Sequence, residues 1–223
     1  MACVMRRIWF RRNYWVFENI FREPRCVMRT AVEGYKEYIA AQEQRGCMFR
    51  QTVSCNREER WTKPVGQWVK VNWDAAVRID LNKVGIGVVV RDEEREVLAS
   101  LCKVVDCLHD PSVGEALALK RAVQFCDELG FSNVVLEGDA QVIVKAANNR
   151  EELYTAYGNV MEEVRGFLKM RESWKIQFIH REANNVAHIL AKNAFNYTTE
   201  RVWIEEGPIE ILHVLQKEKF CNS

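Results

Sequence analysis

Asp74, Glu115 and Asp139 each stand where a strand should end or a helix begin, in a β-β-β-α-β-α order that gathers the three acids at one point. Carboxylates brought together repel one another unless a cation offsets them, so the grouping predicts a metal centre. Oxygen donors with no soft partner select Mg2+ or Mn2+ over zinc. Each acid also has a plainer reading. Asp74 can be a solvated strand-end carboxylate, Asp139 can cap the helix that follows it, and Glu115 can be a first-turn charge that complements a helix dipole. The joint order of the three favours the metal.

The elements that must position these acids are legible from periodicity. Trp68-Val69-Lys70-Val71-Asn72-Trp73-Asp74 alternates as a strand, Gly85 to Arg91 is a second, and Asp92-Glu93-Glu94-Arg95 turns into a third over Val97 to Val105. Short polar links between them predict an antiparallel meander. After Asp110-Pro111-Ser112, apolar residues recur at three-to-four spacing through Ala116, Leu119, Ala122, Val123 and Cys126, a helix that stops near Leu129-Gly130. The apolar strand Val134-Val135-Leu136 leads through Glu137-Gly138-Asp139 into helices over roughly 140–149 and 154–171, then a strand from Trp174 to Ile179 and a helix from Asn184 to Ala194. Strands alternating with helices after a meander predict an α/β fold with a mixed sheet and helices on its faces. The strands before Asp74 and Asp139 would then run parallel, side by side, and end at the same edge.

A chain of 223 residues that is 48% apolar suits one globular core with an appendage. A Pro and a Gly in Lys63-Pro64-Val65-Gly66 mark a boundary. The expected organisation is a basic helical extension and linker over 1–65, a domain over 66–197 and a peripheral tail over 198–223, with Trp203-Ile204 and Ile209 to Leu215 docking locally. No stretch approaches the roughly 20 apolar residues of a membrane span, and no secretory h-region opens the chain. An intracellular protein without a membrane partner is therefore expected, cytoplasmic or nuclear with an organelle as the alternative, and a monomer is expected as well. The eight cysteines lack Cys-x-x-Cys pairs and read as reduced thiols.

Charge is divided unevenly. Residues 1–65 hold thirteen Lys and Arg against seven Glu, a net of +6, while nineteen bases against twenty-four acids leave −5 for the remainder. A basic arm suits a polyanionic partner such as nucleic acid, and a solvated arginine-rich helix is the alternative. Ile8, Trp9, Trp15, Val16 and Ile20 can form the apolar face of a packed helix; Arg6, Arg7, Arg11 and Arg12 also fit the start of an organelle transit peptide.

Five blocks of sequence resemble the plant reverse-transcriptase-like ribonuclease H family: Val71-Asn72-Trp73-Asp74-Ala75-Ala76, Gly85 to Arg91, Glu115-Ala116-Leu117-Ala118-Leu119, Leu136-Glu137-Gly138-Asp139-Ala140, and Arg181 to Ala191. The match runs from about 66 to 196, and Ile8 to Glu18 resembles the segment preceding this domain in plant non-LTR retroelement polyproteins. The resemblance implies an RNase H-like fold, a mixed five-stranded sheet with flanking helices. It implies cleavage of the RNA strand of RNA–DNA hybrids, with Asp74, Glu115 and Asp139 holding two divalent ions, Mg2+ or Mn2+. The alternative is a retroelement-derived protein that binds nucleic acid or a partner without turnover.

The same resemblance places His188 where the full four-acid version of the site has an aspartate, and imidazole is a poor ligand for Mg2+. His188 is expected either to keep a weak metal contact or shuttle a proton, or else only to pack. Ala75 replaces the glycine common after the first aspartate. His180 lies in the loop where some ribonucleases H place a histidine that assists product release. Arg181 and Asn184 are the nucleic-acid-binding candidates, with helix capping as the other reading of Asn184.

Overall fold

The computed structural model describes residues 60–106, 110–149 and 155–220. The expectations for the basic arm before residue 60, and for six of the eight cysteines, lie outside them; Cys102 and Cys126 are buried free thiols. Strand β1 (Val69–Arg78) is buried on both faces through Asp74, which makes it the centre of the sheet. Its alternation sends Val69, Val71 and Trp73 into the larger apolar core and Lys70, Asn72 and Asp74 to the opposite face.

β1 pairs antiparallel with β2 (Lys83–Arg91), and β2 with β3 (Val97–Asp106), completing the meander. On its other side β1 pairs in parallel with β4 (Val134–Gly138), which pairs in parallel with β5 (Trp174–Phe178). Helices α1 (Pro111–Glu128), α2 (Gln141–Asn148) and α3 (Gly158–Met170) contribute to the larger core. Helices α4 (Asn185–Asn193) and α5 (Ile209–Phe220) build a second cluster with Val89, Val97 and Cys102 on the reverse of the sheet.

The sheet has six strands where the resemblance implied five. Arg201–Ile204 forms β6, antiparallel to β3, giving the order β5-β4-β1-β2-β3-β6. Residues expected as a peripheral tail thus supply an edge strand and α5, whose Ile211 is fully buried. Four residues at an edge are too few to carry an alternating signal, and α5 buries only a narrow apolar stripe.

Local chemistry explains the boundaries that matter to the site. The Asp110 side chain accepts from the Ser112 backbone N–H at 2.8 Å and Pro111 follows it, so α1 starts there; it stops at Leu129, where Gly130 takes φ 72°. Gly85 and Gly87 on β2 are covered by α4. A Cβ on Gly87 would lie 2.2 Å from the Ala191 nitrogen and 2.4 Å from the Ala187 oxygen. Only glycine lets α4 lie this close to the sheet.

Candidate metal centre

Parallel pairing of β1 with β4 puts Asn72 level with Glu137. The acids two residues further along, Asp74 and Asp139, therefore reach the same edge together. Glu115 arrives from α1, where Gly114 packs against Val84 and Ala75 and draws the helix onto the strand end. It is the fifth residue of α1 and lies past the first turn, so the dipole reading of its charge gives way to a site reading. Ligand oxygens of Asp74, Glu115 and Asp139 all lie within 4.8 Å of one another. Asp139 is not a cap: α2 has no side-chain cap bond, which leaves this carboxylate to the centre.

Electrostatics follow from burial and crowding. Asp74 is 4% exposed, and burial, opposed by its bond to His188 and reinforced by Asp139, raises its carboxyl to about 6. Burial and the charges of Asp74 and Asp139 push Glu115 up to about 9, although it accepts a hydrogen bond from the Ala75 backbone. Among the described residues, Glu115 Oε2 is buried and has no hydrogen-bond partner. Buried acceptors are normally satisfied, so an orphaned oxygen on a carboxylate grouped with two other acids is what a hard cation would complete. The donor set fits Mg2+ or Mn2+.

His188 extends from α4 and its Nδ1 lies 2.8 Å from Asp74 Oδ2. It occupies one carboxylate oxygen and leaves the other to the centre. Gly87, paired with Asp74 across β1 and β2, is the residue that lets α4 bring this imidazole so close.

Residues 72–194, more than half of the chain, match the family model described as reverse transcriptase-like, a span that contains all three acids and His188. The chain belongs to the reverse transcriptase-like family. No curated protein matches its sequence. Among solved structures it is similar to RNase H1 of the halophilic archaeon Halobacterium salinarum NRC-1, with 22% identity and a TM-score of 0.52 over 58% of this chain and 98% of that one. The N-terminal RNase H domain of a Mycobacterium tuberculosis protein, fused to maltose binding protein, gives 18% identity and 0.52 over 58% and 94%. LC11-RNase H1 in complex with an RNA/DNA hybrid gives 21% and 0.51 over 57% and 96%. At these identities the likeness establishes the RNase H fold of this reverse transcriptase-like chain.

Asn184 is the residue whose placement differs most from expectation. It is 1% exposed and makes no capping bond to α4. Its Nδ2 donates to the Trp73 carbonyl at 2.8 Å and to Asp139 Oδ1 at 3.1 Å, so it braces the centre from behind and has no face toward a nucleic acid. Arg181 is exposed one turn earlier, and its charge is felt by Glu115. His180 packs edge-on against Phe178 with ring centroids 5.3 Å apart. Sequence reading also missed Gly87, although two glycines at alternate positions of one strand signal that another backbone comes close.

Proposed function

We propose that this reverse transcriptase-like protein is a metal-dependent ribonuclease that cuts the RNA strand of RNA–DNA hybrids and leaves a 5′-phosphate. The observation that carries the reading is the grouping of Asp74, Glu115 and Asp139 oxygens within 4.8 Å, with a buried oxygen of Glu115 lacking a partner among the described residues. A binding protein gains nothing from clustered acids, which repel phosphate when no cation offsets them. Two bound divalent ions would supply activation of water for in-line attack and stabilisation of the leaving 3′ oxygen.

The protein's own groups divide the remaining work. Glu115 offers its unpartnered Oε2, and Asp139 is held in orientation by Asn184. Asp74 offers the oxygen not engaged by His188. With Nδ1 turned to Asp74, His188 has Nε2 as the ring atom that accepts or returns a proton at the edge of the centre. Arg181, exposed beside the acids, contacts substrate phosphate. The blocks of sequence around these residues are the basis for reading the chain as retroelement-derived.

The test is incubation of the purified protein with a labelled RNA–DNA hybrid in Mg2+ and in Mn2+, beside Asp74→Asn. Cleavage that the substitution abolishes is the expected result. Hybrid binding without cleavage in either metal would instead mark a nucleic-acid-binding protein that keeps the fold, a reading favoured only by the imidazole at position 188.

A further inference from the structure

A buried polar rung crosses the sheet two residues behind the acids, on the face that carries Asp74. Arg91 Nη2 on β2 donates to Asn72 Oδ1 on β1 at 2.8 Å, and Asn72 Nδ2 donates to Glu137 Oε2 on β4 at 3.2 Å. Gln177 Nε2 on β5 donates to Glu137 Oε1 at 2.7 Å, where Lys70 Nζ also lies at 2.7 Å. Asn72, Arg91 and Glu137 are each no more than 1% exposed. The Asn72 amide therefore links three strands and the Glu137 carboxylate adds the fourth, and two residues further along the chain from Asn72 and Glu137 stand Asp74 and Asp139.

The rung is held from outside the family-matched residues 72–194. The Arg91 guanidinium stacks on the Trp61 ring with its carbon 3.6 Å from the centroid, and Arg91 Nη1 donates to Glu218 on α5. Trp61 is itself 2% exposed, and Thr62 accepts from Lys70 at 3.1 Å. Two cations, Lys70 and Arg91, are thus set against two carboxylates, buried Glu137 and half-buried Glu218. An arginine stacked on one face and bonded at two ends has a single orientation, so a fixed geometry passes from the chain's flanks into the two central strands.

We propose that Arg91 is a positioning residue for the acidic centre, fixing β1 at Asp74 and the end of β4 before Asp139 through Asn72 and Glu137, and that Trp61 and Glu218 hold it in place. The proposal rests on Asp74, Glu115 and Asp139 forming a cation site. Partners behind a ligand shell change metal affinity by roughly tenfold or more when removed, because ligands held loosely must be ordered on binding.

The experiment compares the full chain with Trp61→Leu and Trp61→Phe, reading amide hydrogen exchange residue by residue and Mn2+ affinity by calorimetry. Trp61→Leu is expected to speed exchange at Asp74–Ala76 and Gly138–Ala140 by about tenfold while Leu101–Lys103 on β3 stay unchanged. Mn2+ affinity should fall roughly tenfold. Trp61→Phe, which keeps a ring under the guanidinium, should restore both. Should Trp61→Leu not fold, Glu218→Gln makes the same comparison from the other side of Arg91. Faster exchange spread evenly over the sheet, or no change at these two segments, would overturn the proposal. A wild-type chain that binds no Mn2+ would sink the metal reading alone, since the exchange pattern judges the rung independently.

Discussion

Two rows of polar groups lie side by side, one on β1 and β4 and the other at Asp74 within β1 and Asp139 just past β4, and they are built on opposite principles. In the inner row, Asn72 and Glu137 are surrounded by Lys70, Arg91 and Gln177, and both Glu137 oxygens are bonded. In the outer row, two residues further along the chain, Asp74 and Asp139 face a third acid, and among the described residues they are met by His188, Asn184, a backbone amide on Glu115 and the charge of Arg181. A compensated charge cluster spends its electrostatics on holding strands together. An uncompensated one is unfavourable by itself and is explained by something that binds it. The contrast between adjacent rows separates a brace from a site more sharply than either would alone.

The sharpest way to break this contrast is to neutralise one acid in each row. Asp74→Asn should lower hybrid cleavage by roughly a thousandfold. It should also stabilise the metal-free protein at pH 8 by on the order of 1–3 kcal/mol, because a buried carboxyl raised to about 6 no longer has to ionise. Glu137→Ala should do the reverse to stability, costing about 3–5 kcal/mol by stranding buried Lys70 and Asn72. Denaturant titration of the two variants reads both signs, and destabilisation by Asp74→Asn would erase the distinction between the rows.

A second comparison uses pH. The folded carboxyls of Asp74 and Glu115 lie above their unfolded values of 3.8 and 4.5, so the stability contributed by their neutral forms is full below those values. It is lost as pH rises through about 6 and then about 9. Metal-free melting temperature should therefore drop between pH 5 and 9, and the rise in melting temperature produced by Mn2+ should grow over the same window. A metal-induced shift that is flat with pH would contradict the site.

Smaller effects refine the outer row. His188→Asp adds a fourth acid where an imidazole now pairs with Asp74, so it should lower metal-free stability and raise both Mg2+ affinity and Mg2+-dependent cleavage. Unchanged cleavage would mean that a missing ligand does not limit the rate. Arg181→Ala should raise KM for a hybrid about two- to fivefold with kcat nearly constant, the size of one exposed charge contact.

Much of the architecture was legible in advance because it rests on local signals. The period-two run through Asp74, the change of period after Asp110-Pro111 and the apolar Val134-Val135-Leu136 each reappear as an element, with ends shifted by a few residues. β1 itself runs four residues beyond Asp74, to Arg78, because pairing with β2 sustains it where alternation no longer signals a strand. β6 and the burial of Trp61 were not legible, since a short edge strand and an aromatic in a polar stretch acquire meaning only against the surface that receives them. Asn184 was misread for a related reason: its position before α4 suggested a cap, and only the fold brings it to Trp73 and Asp139.

The sequence by itself determined which acids could meet, because the order of strands and helices and the parallel pairing it implies bring Asp74 and Asp139 level with each other. Tertiary structure decided the rest. Whether a buried charge is compensated depends on side chains 40 to 127 residues away, such as Gln177 for Glu137 and Glu218 for Arg91. Coulomb and desolvation energies depend on distance and burial in space, and neither is written in the spacing of residues along the chain.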